Sequence, residues 1–209
     1  LPPTFGLEPE RVVGVIAGGP AALARAQEGA EDDADAARCT LAGHGLSARD
    51  AVVAVSASGS TPFALAALDA ARAAGARRLA ITCDPGSPLA AAAEIAIAPD
   101  TGPEVIAGST RMKAGLAQKM VLHQLSTAVM VRLGRVERNR MTWLRPGSQK
   151  LWQRAVRLVA ELGGVDEARA RALLERAGGS VAEALEALRA PAPGGGRQSS
   201  SSPSGKGPS

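Results

Sequence analysis

The chain has 209 residues, a formal net charge of +4, 45% hydrophobic and only 2% aromatic residues, with no Tyr at all. That suffices for one good-sized core plus something small, built from Ala, Val, Leu and Ile rather than from aromatic rings. Lys and Arg are interspersed with Asp and Glu and almost no ring is available to stack a base, which argues against nucleic acid as a partner, while no apolar run reaches membrane-spanning length.

In chain order, four short apolar runs read as strands covered on both faces: VVGVIAG at 12–18, AVVAVSAS at 51–58, RLAITC at 78–83 and EIAIAP at 94–99. Ala-rich helical stretches separate them. One covers 21–43, with Gly29 as a candidate break, and another runs from Pro62 to Ala74. A short turn spans 88–93. Thr61 before Pro62 and Ser87 before Pro88 sit where N-caps belong, and Gly75 sits where a helix-ending glycine belongs. Strand, loop, helix and strand in repetition predict a doubly wound α/β parallel sheet.

A long helix is expected over Met112–Val136. Ala117, Val121, Leu125, Val129 and Leu133 form an apolar stripe, widened by Met120, Leu122, Ala128 and Met130 until little polar surface is left. Such a helix is expected to be buried, in the core or between subunits. Arg132 and Arg135 fall near its C-terminal end, where cations suit the helix dipole. Beyond Pro146, Gln149–Leu162 is amphipathic and 165–190 reads as two short helices around Gly178–Gly179. Residues 191–209 are Pro, Gly and Ser with almost no apolar side chain, a composition expected to stay disordered. The expected domains are therefore 1–146, 147–190 and a tail at 191–209.

Two stretches can carry chemistry. SASGSTP, 56–62, combines hydroxyls, backbone N–H groups and a helix start beyond the carboxyl end of a strand, where open α/β sheets bind ligands. Ser58, Gly59, Ser60 and Thr61 are read either as a phosphate cradle or as an ordinary capped turn. GPEVIAGSTRMKAG, 102–115, crowds Glu104, Ser109, Thr110, Arg111 and Lys113 ahead of the long helix, with Ser109 or Thr110 as candidate caps. It is read either as an anion site or as a polar cap with solvated cations. EGAEDD, 28–33, is an acidic run in which chemistry alone does not single out one carboxylate. His123, inside the apolar helix pattern, reads as a core histidine, and His44 carries little signal. Cys39 and Cys83 lack metal spacing and read as reduced residues of a cytoplasmic protein.

The stretch from GPEVIAGSTRMKAG on through LAQKMVLHQLSTAVMVRLG resembles the signature region of the N-acetylmuramic acid 6-phosphate etherases and of their relative, the glucokinase regulatory protein. The resemblance extends through LPPTFGLEPERVVGVIAGG, EGAEDD, SASGSTPF and TCDPGSPLA, over roughly residues 1 to 190. It implies a sugar-isomerase (SIS) domain that binds phosphosugars, a small ubiquitin-associated-like helical module at the C-terminal end, and a homodimer that shares sites between subunits. The implied reaction removes D-lactate from the muramic acid ether and leaves N-acetylglucosamine 6-phosphate, by elimination and then addition of water. One carboxylate handles the proton beside the carbonyl of the ring-opened sugar; another protonates the leaving ether oxygen and then activates water. Neither a metal nor an organic cofactor is implied.

By the same resemblance, Glu31 matches one of two catalytic acids, Ser58, Gly59 and Thr61 match the phosphate loop, and Glu104, Ser109, Arg111 and Lys113 match the signature lining the site. The family pattern continues upstream of Leu1–Pro2–Pro3 with a strand, a Gly-Thr-Ser-Gly loop and the second acid, so the chain is expected to be N-terminally incomplete and, alone, inactive. Ser60 stands where etherases usually have Arg and His123 where they usually have Asn. ERNRMTW at 137–143 departs from the family pattern. A non-catalytic phosphosugar-binding regulator is the alternative; the two-SIS-domain length of the glucokinase regulatory protein argues against it.

Overall fold

The computed structural model describes residues 1–144 and 146–190. The expected tail, 191–209, lies outside them. The chain divides into two compact units, one formed by Leu1 and Glu8–Gly134, the other by Pro2–Leu7 and the chain from Arg135 onward. This division at Gly134 precedes the domain boundary expected at 146.

The first unit is α/β, as expected. Helix α1, Pro2–Phe5, belongs to the second unit; the first begins with irregular chain and 3₁₀ turns, then α2 at Ala34–Gly43. There follow β1 (Ala51–Val55), α3 (Pro62–Ala73), β2 (Arg77–Ile81), α4 (Pro88–Ala92), β3 (Ile95–Ile97) and α5 (Lys113–Arg132). The strands form a parallel sheet in the order β1-β2-β3, with Ala51 opposite Arg77 and Leu79 opposite Ile95. Short loops feeding helices back over the sheet make that order the natural one.

Local chemistry explains the elements. Pro62 presets the first turn of α3, whose Ala64, Ala66, Leu68 and Ala71 are buried. Leu68 meets Ala54, Ala64, Ala80 and Leu89 in the sheet–helix core. Truncating so buried a leucine costs about 2–5 kcal/mol. Gly75, at φ 72°, turns the chain out of α3 into β2. The Ser87 hydroxyl accepts the Ala90 N–H at 3.3 Å and starts α4. At the exposed end of the sheet Glu94 ties the strands together, accepting from Arg77 at 2.9 Å and Arg78 at 3.4 Å.

Two expectations fail here. Residues 12–18 are not a strand. Val13 and Val15 make no backbone hydrogen bond among the described residues, and a strand without a ladder partner has nothing to hold its pleat. The long helix is not buried in the core of its own chain: it ends at Arg132 rather than Val136, Gly134 follows at φ 70°, and only Ala114 and Met130 of its residues are buried. Leu116, Met120, Leu122, Val129 and Val131 are exposed, as is His123, which is therefore no core histidine in this unit. The expected break at Gly29 does occur. That residue takes φ 73° and the stretch before α2 forms separate 3₁₀ turns.

The second unit is helical. After a hairpin of β4 (Val136–Glu137) and β5 (Arg140–Met141) come α6 (Gln149–Gly163), α7 (Glu167–Arg176) and α8 (Val181–Arg189). Each of the three helices has a side-chain cap: Ser148 to the Leu151 N–H, Asp166 to the Arg169 N–H, and Ser180 to the Glu183 N–H. Val156, Val159, Leu174, Val181 and Leu185 fill the core between them. Arg135 lies outside α5. Its Nη1 donates to the carbonyls of Phe5 (2.6 Å) and Gly6 (2.7 Å), and its guanidinium stands 4.6 Å from the Trp143 ring. No helix among the described residues is long and apolar enough to cross a membrane.

Candidate phosphosugar site

The carboxyl end of β1 opens into the loop 56–61. Ser56 is buried beneath it and acts as a hub: its Oγ lies 2.8 Å from the Thr61 hydroxyl and accepts the Gly59 N–H at 3.1 Å. Ser58 is exposed above, receiving the Ser60 hydroxyl at 3.0 Å and the Ser60 N–H at 3.3 Å. Thr61 occupies the N-cap position of α3, yet its side chain makes no cap bond; the hydroxyl is turned to Ser56 instead.

Gly59 is fixed by space as well as by backbone. Its φ is 65°, and a Cβ there would stand 2.1 Å from Ser87 Oγ and 2.8 Å from Thr82 Oγ1. The loop therefore presses against the α4 cap, and the Gly59 carbonyl accepts the Leu89 N–H at 3.0 Å. This packing sets the height at which Ser58 and Thr61 are presented.

The start of α5 is built differently from the expectation. Neither Ser109 nor Thr110 caps it. Glu104 does, accepting the Lys113 N–H at 3.1 Å and the Ala114 N–H at 3.0 Å. The Ala114 N–H, followed by the Lys113 N–H and the nearby ammonium, holds the Glu104 carboxyl below the usual carboxylate range. Glu104 thus stays charged and orders the helix start. Sequence spacing hid this because the cap lies ten residues upstream, outside the usual capping box.

A cavity of about 1510 Å³ runs along β1 and over this loop. Of the expected site residues, Glu31, Ser58, Thr61 and Arg111 line it together. Gly59, Glu104, Ser109 and Lys113 are not among its lining residues. Ser60 and Thr110, already candidates from their stretches, line it as well, together with Ser56, Asp32, His44 and Gln118, which carried little or no signal in the sequence. The adjacent hydroxyls of SASGST were the available signal for Ser56. Glu31 is exposed on a 3₁₀ turn and makes no hydrogen bond or ion pair among the described residues, whereas Asp50 on the same cavity is held by the Ser47 N–H and hydroxyl at 2.8 and 2.7 Å. No group of His, Cys, Asp and Glu suited to a metal ion occurs among the described residues.

An exposed acid, a hydroxyl-lined loop at a helix start and a guanidinium therefore share one cavity beyond the end of a parallel strand. That arrangement suits a polyhydroxylated anion. The SIS domain matches residues 43–128, and the N-terminal SIS domain of the glucokinase regulatory protein matches residues 5–72. Residues 43–128 thus carry an SIS domain.

Curated relatives extend the likeness over most of the chain. A protein of Symbiobacterium thermophilum named N-acetylmuramic acid 6-phosphate etherase is 52% identical over 190 residues, 91% of this chain and 63% of its own length. Proteins of the same name from Gloeobacter violaceus (48% identical, 88% of this chain, 60% of the relative) and Streptomyces avermitilis (47%, 82% and 56%) are similar. The chain thus spans about 60% of the length of the curated relatives it matches.

Proposed function

We propose that this SIS domain serves a carbon–oxygen lyase that cleaves the lactyl ether of N-acetylmuramic acid 6-phosphate, giving N-acetylglucosamine 6-phosphate and D-lactate in the recycling of cell-wall sugars. The names of the relatives support the substrate. The observation that carries the reading is the common cavity of Glu31, Ser58, Thr61 and Arg111.

In this reading the phosphate rests on the 58–61 loop, receiving hydrogen bonds from the Ser58 and Thr61 hydroxyls at the N-terminal end of α3. Arg111, lining the same cavity, adds positive charge. Glu104, Ser109 and Lys113 support the Arg111 segment through the start of α5, and Gly59 lets the loop lie against α4. Glu31 is one of two carboxylates. The reaction needs a base to take the proton beside the carbonyl of the ring-opened sugar as the ether C–O bond breaks. It needs an acid to give the departing lactate oxygen its proton, and the same group then deprotonates the water that adds to the unsaturated sugar. No cofactor has a part in these steps.

The reading includes a homodimer in cytoplasm. The exposed apolar residues of α5, with Leu116 and Met120 more than half exposed, are a surface for a second copy. The unpaired Cys39 and Cys83 fit a reducing compartment. The C-terminal helices fit a ubiquitin-associated-like module. Titration of N-acetylglucosamine 6-phosphate against the protein tests the phosphosugar site: saturable binding that is lost when N-acetylglucosamine replaces it is expected, and equal binding of both sugars contradicts the reading.

A further inference from the structure

On α6, Lys150, Arg154 and Arg157 stand at i, i+4 and i+7, so they share one face, and all three are exposed. None makes an ion pair among the described residues. Helical cations are paired elsewhere in the fold: Asp35 meets Arg38 at 2.7 Å in α2, and Asp69 meets Arg72 at 2.8 Å in α3. Lys150 and Arg154 have no acid three or four residues away. Arg157 has Glu161 four residues on, but that carboxylate turns to Arg140 of the hairpin, at 2.8 Å. Like charges at these spacings destabilise a helix, and no described residue offsets them.

The positive charge continues beyond α6. Between α6 and α7 lies a hollow of about 310 Å³, lined by Gln153, Val156 and Arg157 from one helix and by Glu167 and Arg171 from the other. Arg171 is exposed and also lacks an ion pair among the described residues. Four cations thus converge on one side of the helical unit, around a hollow with an amide on its wall and the buried Val156 as its floor. Exposed Leu151, three residues before Arg154, puts an apolar side chain on the other margin.

The surroundings select among polyanions. A helix that enters a lipid surface does so with its apolar face, and that of α6 is spent on Ala155, Val156, Leu158 and Val159, all buried. Single-stranded nucleic acid stacks its bases on exposed rings, and Trp152, the aromatic residue of α6, is half-buried against the core. Glu167 repels an unbroken row of phosphates beside Arg157 and Arg171. A peptide meets none of these obstacles. It can set acids against Lys150, Arg154 and Arg157, lay a neutral residue over Val156 beside Glu167, and bond its backbone to the Gln153 amide. The three cations of α6 span about 10 Å of helix, the reach of two or three acids at alternate positions of an extended chain. We propose that the α6 face and the α6–α7 hollow dock an acidic polypeptide segment of a partner protein, one in which Glu or Asp alternates with small neutral residues. The surface belongs to the helical unit and does not depend on which sugar the first unit takes.

The test is fluorescence anisotropy of a labelled peptide of alternating Glu and Ala, titrated with the 209-residue chain. Saturable binding that weakens as salt rises is expected, with none for the same peptide carrying Gln in place of Glu. Arg157→Gln with Arg171→Gln is expected to weaken binding about tenfold. Arg169→Gln with Arg176→Gln removes the same charge from the side of α7 turned away from Arg171, and is expected to leave the affinity nearly unchanged. All four arginines are exposed and Gln is a good helix former, so both variants are expected to keep the helical circular dichroism of the parent. Equal weakening in the two variants overturns the proposal, as does equal binding of the Gln peptide or no binding by the folded chain. Displacement of the peptide by oligothymidylate or by phosphatidylserine vesicles at a lower concentration of charge overturns it in favour of nucleic acid or membrane.

Discussion

The Glu104 carboxylate accepts the backbone N–H of Ala114, ten residues further on, at 3.0 Å, and so the loop before α5 caps its own helix. Glu104→Gln keeps the shape but removes the negative charge at the positive end of the helix. The carboxyl is held below its ordinary value of 4.5, chiefly by the Ala114 N–H. A depressed folded value means that the stabilisation is fully present above the ordinary value and is lost as pH falls through the folded one. Urea titrations of both proteins are expected to differ most at neutral pH and to converge below pH 4.5. A gap that stays constant into acid contradicts the charged cap.

Gly59→Ala is expected to destabilise the first unit by about 1–3 kcal/mol, since the strained φ is joined by a Cβ placed 2.1 Å from Ser87 Oγ. Ser87→Ala removes one of the two clashing oxygens but leaves φ positive, so the double variant is expected to recover only part of the loss. Denaturant midpoints of the three proteins provide the check.

Ser58→Ala and Thr61→Val each delete a hydroxyl from the proposed phosphate loop. A charge-assisted hydrogen bond contributes about 1.5–3 kcal/mol, so each change is expected to weaken phosphosugar binding roughly ten- to a hundred-fold. Calorimetric titration measures it. Thr61→Val also removes the 2.8 Å contact to Ser56, so it is expected to lower stability as well. Ser58 is exposed, and its loss is expected to leave stability unchanged.

The parallel core was legible because β1, β2 and β3 have partners within the chain, so local apolar pattern and tertiary pairing agree. Val12–Gly18 carries the same pattern, but pairing is non-local, and no periodicity reveals whether a neighbour is present. The breadth of the α5 stripe was equally plain; the pattern marks a face for burial without saying what buries it. At the site, Ser58 and Thr61 stood out because hydroxyls crowd a strand-to-helix turn. The Ser56 hub and the Glu104 cap did not, because each depends on a chain reversal that brings separated atoms together.

The α5 surface leads to a prediction about assembly. Leu116→Glu with Met120→Glu puts charge on two of the most exposed apolar residues of that helix. Sedimentation of the protein at full length is expected to give a dimer at micromolar concentration and a monomer for the double variant. A monomeric parent protein contradicts α5 as a subunit interface.

The most direct test of the account is release of D-lactate from N-acetylmuramic acid 6-phosphate by the protein at the full length of its relatives, with and without Glu31→Gln. Glutamine preserves the shape of the side chain and removes its titrating group. Lactate and N-acetylglucosamine 6-phosphate are expected in equal amounts from the parent protein, with a rate lower by roughly 10²–10⁴-fold in the variant, the loss expected of a general acid–base group. No lactate from a folded, phosphosugar-binding parent protein would contradict the etherase reading, and an undiminished rate in Glu31→Gln would remove Glu31 from the chemistry.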